Sequence, residues 1–119
     1  MTVAFAHVTF DAVDAKKLAD FWSAALGQGV DEGAEVWFAS INFRPGGSPG
    51  PAWLFTQVPE AKTAKNRMHL DLVCEERVTE ADRLVAFGAT KVNEVDEWGH
   101  QWIVMHDPEG NEFCISNAH

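Results

Sequence analysis

The chain has little of several features that would narrow its class. Its 119 residues include only two cysteines, Cys74 and Cys114, both in apolar sequence surroundings, so we expect free thiols and no disulfide framework. There is no run of about 18 apolar residues, so no membrane-spanning helix is expected. Residues 1–6 have neither the basic start nor the apolar stretch of a secretory signal. These absences indicate a cytoplasmic protein.

Basic residues are also scarce. Nine lysines and arginines face 18 aspartates and glutamates, which gives a formal net charge of -9. A polyanion would be repelled by this charge, so we expect neither nucleic acid nor an acidic membrane surface as a partner. The same charge is typical of a soluble protein, and it would also draw a cationic ligand toward a cavity.

What the chain does contain is a repeated order of strands and helices. A strand is predicted over 3–11, where apolar residues fill the even positions, and an amphipathic helix follows between a cap at Asp14 and a cap at Gly27. Further strands are predicted at 28–32, 35–43 and 52–58. The order then recurs, with a strand at 66–74, a helix at about 78–87 and strands at 89–97, 101–106 and 112–117.

The two halves can be aligned on their own residues. His7-Val8-Thr9-Phe10 corresponds to His69-Leu70-Asp71-Leu72, and Leu26-Gly27 corresponds to Phe87-Gly88. A duplicated βαβββ unit explains both matches. We therefore predict one α+β domain over 1–119, with one unit at about 3–58 and the other at about 66–117. Its curved mixed sheets would surround a cavity, with the helices outside.

Strand alternation predicts which side chains face that cavity. Where alternate apolar residues pack under a helix, the remaining positions lie on the opposite, helix-distal face. This rule places His7, His69 and Glu112 on helix-distal faces. The residues predicted to bind a ligand are Thr9, Trp53, Phe55, Gln57, Arg67, Trp102, Val104 and Cys114.

The sequence resembles the vicinal oxygen chelate superfamily, and within it the short glyoxalase-like domains. The segments that carry the resemblance are 6–11, 18–27, 65–72, 83–89 and 107–113. In metal-dependent members, the resemblance assigns metal ligands to the positions of His7 and His69. The third ligand, a glutamate in the family, falls on Cys114, while Glu112 lies two residues earlier on the same face. The resemblance also implies a homodimer.

Three functions stay open at this point. The first is a metal-free protein that binds, and sequesters, a small aromatic or cationic molecule, as bleomycin-resistance proteins do; five tryptophans in an acidic chain suit this function. The second is a metal-dependent lyase, isomerase, thiol transferase or dioxygenase. In it His7 and His69, with Glu112 or Cys114 and with Gln57 as a further candidate ligand, hold a divalent Zn, Mn, Ni or Fe ion beside adjacent substrate oxygens. The third is metal-free catalysis with His7 or His69 as the general base.

Overall fold

The computed structural model describes residues 2–118, and the chain divides into two compact units between Ala61 and Lys62. The first unit contains β1 (His7–Ala12), α1 (Ala15–Leu26), β2 (Phe38–Ile41) and β3 (Ala52–Gln57). The second contains β4 (Leu70–Cys74), α2 (Arg77–Ala86), β5 (Thr90–Glu97), β6 (His100–His106) and β7 (Glu112–Asn117). The predicted α+β class, with two units that match the βαβββ type, is confirmed, although one strand of the first unit is reduced to an isolated bridge at Val30.

The sheet of the first unit has three strands in the order β1-β3-β2. Strand β3 runs parallel to β1 and antiparallel to β2. The strand predicted at 28–32 was wrong, because Val30 forms only an isolated bridge with Ile41. Gly29, Asp31 and Glu32 are residue types that strands disfavour, which explains why pairing does not extend from Val30.

Helix α1 begins and ends where the sequence predicts. The carboxylate of Asp14 accepts a hydrogen bond of 3.0 Å from the N–H of Lys17, and Gly27 closes the helix with a φ of 69°. The apolar stripe of the helix is buried on the sheet. Its Trp22 lies 5.3 Å from Trp53 of β3 between ring centroids, so the core of this unit lies between α1 and one face of the sheet.

The sheet of the second unit has four strands in the order β4-β7-β6-β5, and β4 is parallel to β7 while β6 is antiparallel to both neighbours. Its core forms where Ala81 and Leu84 of α2 are buried with Ile103, Met105 and other apolar residues of β6 and β7. Strand β4 starts at Leu70, later than predicted. Before it, the N–H of Asn66 donates to the Glu112 carboxylate at 2.8 Å rather than to a neighbouring strand.

Within residues 2–118, no helix is long and apolar enough to cross a membrane.

Candidate functional site

A cavity of about 750 Å³ lies in the second unit. Strand register explains much of its lining. Asp71 of β4 pairs with Cys114 of β7, which in turn pairs with Val104 of β6, and all three line the cavity. Side chains of directly paired residues lie on the same face of a sheet. The cavity therefore opens on the helix-distal face, as strand alternation predicts for this unit.

Residues selected from the sequence meet in this cavity. Those that line it are His69, Trp102, Val104, Glu112 and Cys114. Residues that sequence reasoning did not select also line it, and they include Lys65, Asp71, Arg77 and Trp98. For Asp71, strand alternation already indicated the correct face. No pattern in the sequence indicated Arg77, because its place in the cavity wall depends on where α2 begins.

His69, Asp71 and Cys114 form a compact cluster in the cavity. Each offers one ligand atom, and these three atoms lie within 4.8 Å of one another. Nε2 of His69 is 3.4 Å from Oδ1 of Asp71. Burial raises the pKa of the Cys114 thiol, and the negative charge of Asp71 and its hydrogen bond with the thiol raise it further. Cys114 is therefore a protonated thiol at neutral pH, which disfavours it as a nucleophile.

The chemistry of this donor set fits a metal ion. An imidazole, a carboxylate and a thiol that loses its proton on coordination are ligands that Zn²⁺ accepts, with a fourth position left for water or substrate. Mn²⁺ and Mg²⁺ prefer oxygen ligands and suit the set less well. His69, Asp71 and Cys114 would hold the ion, and a bound ion would polarise a substrate oxygen at the open position.

The carboxylate of Glu112, predicted as a metal ligand, is already occupied in another way. Oε1 accepts the N–H of Asn66 at 2.8 Å, and Oε2 lies 3.2 Å from Nζ of Lys62. This is an ion-pair distance, although no donor among residues 2–118 makes a well-aligned hydrogen bond to Oε2. Burial alone would raise the pKa of Glu112, but the Asn66 N–H and the Lys62 ammonium outweigh it and lower the pKa. To bind a metal, Glu112 would have to give up the lysine.

Two tryptophans give the cavity aromatic surface. Trp102 lies on β6 and is half-buried, whereas Trp98 is 86% exposed at the turn between β5 and β6. The backbone of Trp98 has a φ of 53°, which lies in the left-handed region that residues with a bulky side chain rarely adopt. Exposed and half-buried indoles at the wall of a cavity are suited to stack on a flat ligand.

The placement of Trp53 and Phe55 on a ligand-binding face was wrong. They are 6% and 0% exposed, and both stack on Phe10, which in turn contacts Trp22 of α1. Both rings therefore belong to the core of the first unit. Strand β3 carries apolar residues on both faces, so alternation alone did not indicate which face packs under the helix.

The other predicted residues have the following positions. In the first unit, the ring of His7 lies 5.4 Å from that of Phe43, Thr9 is exposed on β1, and the side-chain amide of Gln57 donates to the carbonyl of Val13 at 3.1 Å. Arg67 is exposed ahead of β4 and does not line the cavity of the second unit. Ligand binding by these residues stays a prediction.

Comparison with known families identifies the class of the protein. Residues 7–116 match the family described as "Glyoxalase-like domain", and the chain belongs to that family. A comparison with curated protein sequences found no match.

Solved structures support the same fold. A glyoxalase/bleomycin resistance protein/dioxygenase family enzyme from Burkholderia phytofirmans is 18% identical, with a TM-score of 0.74 over 96% of this chain and 98% of that one. A fosfomycin resistance protein from Listeria monocytogenes, solved with Mn(II) and 1S,2S-dihydroxypropylphosphonic acid, is 14% identical, with a TM-score of 0.75 over 98% of this chain and 90% of that one. The bleomycin-binding protein of Streptomyces verticillus, complexed with copper(II)-bleomycin, is 15% identical, with a TM-score of 0.62 over 99% of this chain and 100% of that one.

Proposed function

We propose that this chain binds and sequesters a small aromatic molecule in the cavity of its second unit. The observation that carries the proposal is the pair of indoles, Trp98 and Trp102, in the wall of a cavity of about 750 Å³. A space of that size accepts a molecule of several fused or linked rings. The binding of bleomycin by a protein of the same fold supports a sequestering role.

The test is a titration of the purified protein with 2-naphthamide, a flat neutral probe, followed by calorimetry. We expect saturable binding that Trp102→Ala weakens by about tenfold or more, because an aromatic side chain that becomes buried against the ligand contributes much of the free energy of binding. Trp37→Ala is the matched control, since Trp37 is an exposed indole of the first unit. The probe should be recovered chemically unchanged.

Binding that is insensitive to Trp102→Ala, or equally sensitive to Trp37→Ala, would place the ligand elsewhere. Turnover of the bound molecule would replace sequestration with catalysis.

The cluster of His69, Asp71 and Cys114 favours a second candidate function, a metal-dependent enzyme. Its donor atoms lie within 4.8 Å of one another in the same cavity. A solved relative of the fold holds Mn(II), but the thiol in this cluster favours Zn²⁺ instead. The reaction would be one of those the family resemblance implies, on a substrate with adjacent oxygens.

Metal content separates the two candidates. For the enzyme we expect about one equivalent of Zn²⁺ per chain in protein purified without chelator, and a thiolate-to-cobalt charge-transfer band after exchange with Co²⁺. Cys114→Ser should remove the band and most of the metal. Cys74→Ser should retain both, because Cys74 hydrogen-bonds to the carbonyl of Ser116 and is not part of the cluster. Metal-free protein that takes up neither ion would rule out the metal enzyme.

A further inference from the structure

The cavity lining is not acidic in the way that the whole chain is. The whole chain carries a net charge of -9. The cavity lining, in contrast, contains two basic residues, Lys65 and Arg77, and two acidic residues, Asp71 and Glu112. Lys62, 3.2 Å from Glu112, already opposes that carboxylate. The lining therefore leaves two cations against the single carboxylate of Asp71.

Arg77 is the cation held in a defined position. Its backbone N–H donates to Oδ1 of Asn117 at 2.8 Å, and its Nη2 donates to Oε1 of Gln101 at 2.9 Å. The amide nitrogen of Gln101 in turn donates to the carboxylate of Asp96 at 3.2 Å. The guanidinium is thus oriented by a neutral acceptor, although its charge also interacts with the carboxylate of the adjacent Glu76.

No carboxylate of residues 2–118 forms an ion pair with Arg77 within 4.0 Å. The adjacent Glu76 uses its carboxylate to accept the N–H of Thr79 and so caps α2. A guanidinium has five N–H donors arranged in a planar fork, and this fork matches the two oxygens of a carboxylate or a phosphonate. An oriented arginine whose fork is not occupied by a carboxylate at ion-pair distance can therefore receive the anionic group of a ligand.

We infer that Arg77 determines ligand specificity, and that the cavity selects an aromatic oxyanion, a flat molecule bearing a carboxylate or phosphonate, over neutral and cationic analogues. The inference rests on the proposed function, because it assigns the charge of the molecule that the indoles hold. It also replaces the cationic ligand that the net charge of the chain predicts. Charges close to the ligand outweigh distant exposed charges, which salt screens within about 8–10 Å.

The test compares three probes of one shape by calorimetry: 2-naphthoate, 2-naphthamide and 2-naphthylmethylammonium. We expect 2-naphthoate to bind about tenfold more tightly than the amide, and the ammonium probe to bind most weakly. Arg77→Gln should reduce the affinity for 2-naphthoate to about that for the amide, while Arg77→Lys should retain part of the preference for the carboxylate. Arg83→Gln is the matched control, because Arg83 lies on the same helix, pairs with Glu80 and does not line the cavity.

Equal affinities for the carboxylate and the amide, or a preference that survives Arg77→Gln, would overturn the inference and leave the proposed function intact if the amide still depends on Trp102. Tightest binding of the ammonium probe would likewise overturn it. Failure of all three probes to bind would overturn both the inference and the proposed function.

Discussion

The buried carboxylate of Asp31, which precedes β2, binds residues at the end of β2 and just after it. The residue is 8% exposed and accepts hydrogen bonds from Oγ of Ser40 at 2.7 Å, from the N–H of Phe43 at 2.9 Å and from Nη1 of Arg44 at 2.9 Å. Burial alone would raise the pKa of Asp31, but these three partners, together with the backbone N–H of Asn42, outweigh it and lower the pKa. The charged form is thus the one that the fold stabilises.

Replacing Asp31 by asparagine should destabilise the protein by about 1–3 kcal/mol at neutral pH, because one or more of the three donors loses its acceptor. Since the folded-state pKa is lower than the unfolded one, the stabilisation is fully present above the unfolded value of about 4 and is lost as the pH falls through the folded value. The difference in free energy of unfolding between wild type and Asp31→Asn should therefore shrink in acid. Urea unfolding at several pH values measures it.

Glu32→Gln serves as the control, because Glu32 is the exposed neighbour of Asp31. A pH-independent difference for Asp31→Asn would contradict the assignment of a stabilising charge.

Single residues also mark where sequence reasoning succeeded and where it failed. His69 and Cys114 were placed on one face by alternation, because Leu70 and Leu72, and likewise Phe113 and Ile115, are the clear apolar partners at the other positions. Trp53 was assigned to the wrong face, because β3 has large apolar residues at both its odd and its even positions. Only the packing of helix α1 decides which of these two sets of positions is buried.

At the scale of elements, the hairpin between β5 and β6 places an aromatic side chain at the cavity in an unusual turn. Glu97 pairs with His100, so Trp98 and Gly99 form a two-residue turn, and both have positive φ values, 53° and 76°. Such turns favour asparagine followed by glycine. A tryptophan at the first position is costly for the backbone, and its ring lines the cavity. The hairpin therefore holds an aromatic side chain at the cavity at the expense of stability.

Trp98→Asn should accordingly change stability and binding in opposite directions. We expect the free energy of unfolding to rise by about 1 kcal/mol, because asparagine tolerates the left-handed conformation better. Affinity for 2-naphthamide should fall, because one of the two indoles is lost. Thermal unfolding and calorimetry on the same variant measure both. A Trp98→Asn variant that is less stable than wild type, or that binds 2-naphthamide as tightly as wild type, would contradict the idea that the turn loses stability to place an indole at the cavity.

Elements with clear end signals were predicted well. Helix α1 has a capping aspartate and a closing glycine, and the predicted strand at 112–117 coincides with β7 (Glu112–Asn117). The predicted strand at 28–32 failed because one apolar residue among polar residues and glycine cannot hold a pairing register. The early start of α2 was missed by one residue, because Glu76 is an uncommon cap residue that sequence rules do not favour.

At the scale of the whole molecule, the family could be recognised from the sequence, whereas the chemistry of the site could not. Membership in the glyoxalase-like family depends on segments spread along residues 7–116. The charge balance of the cavity depends on spatial neighbours such as Lys62 and Glu112, which are distant in sequence. Net charge alone therefore predicts a cationic ligand, whereas the charges of the cavity lining support the anionic ligand that we infer. The homodimer and the cytoplasmic location stay predictions.

The most direct test of the central claim, that the cavity of the second unit holds an aromatic ligand, uses the five tryptophans as reporters. Indole N–H signals of ¹⁵N-labelled protein would be assigned by single substitutions and followed during titration with 2-naphthamide. We predict that the signals of Trp98 and Trp102 shift with one common dissociation constant, while those of Trp22, Trp37 and Trp53 stay in place. A shift confined to Trp37, or saturable binding that leaves Trp98 and Trp102 unmoved, would contradict the account.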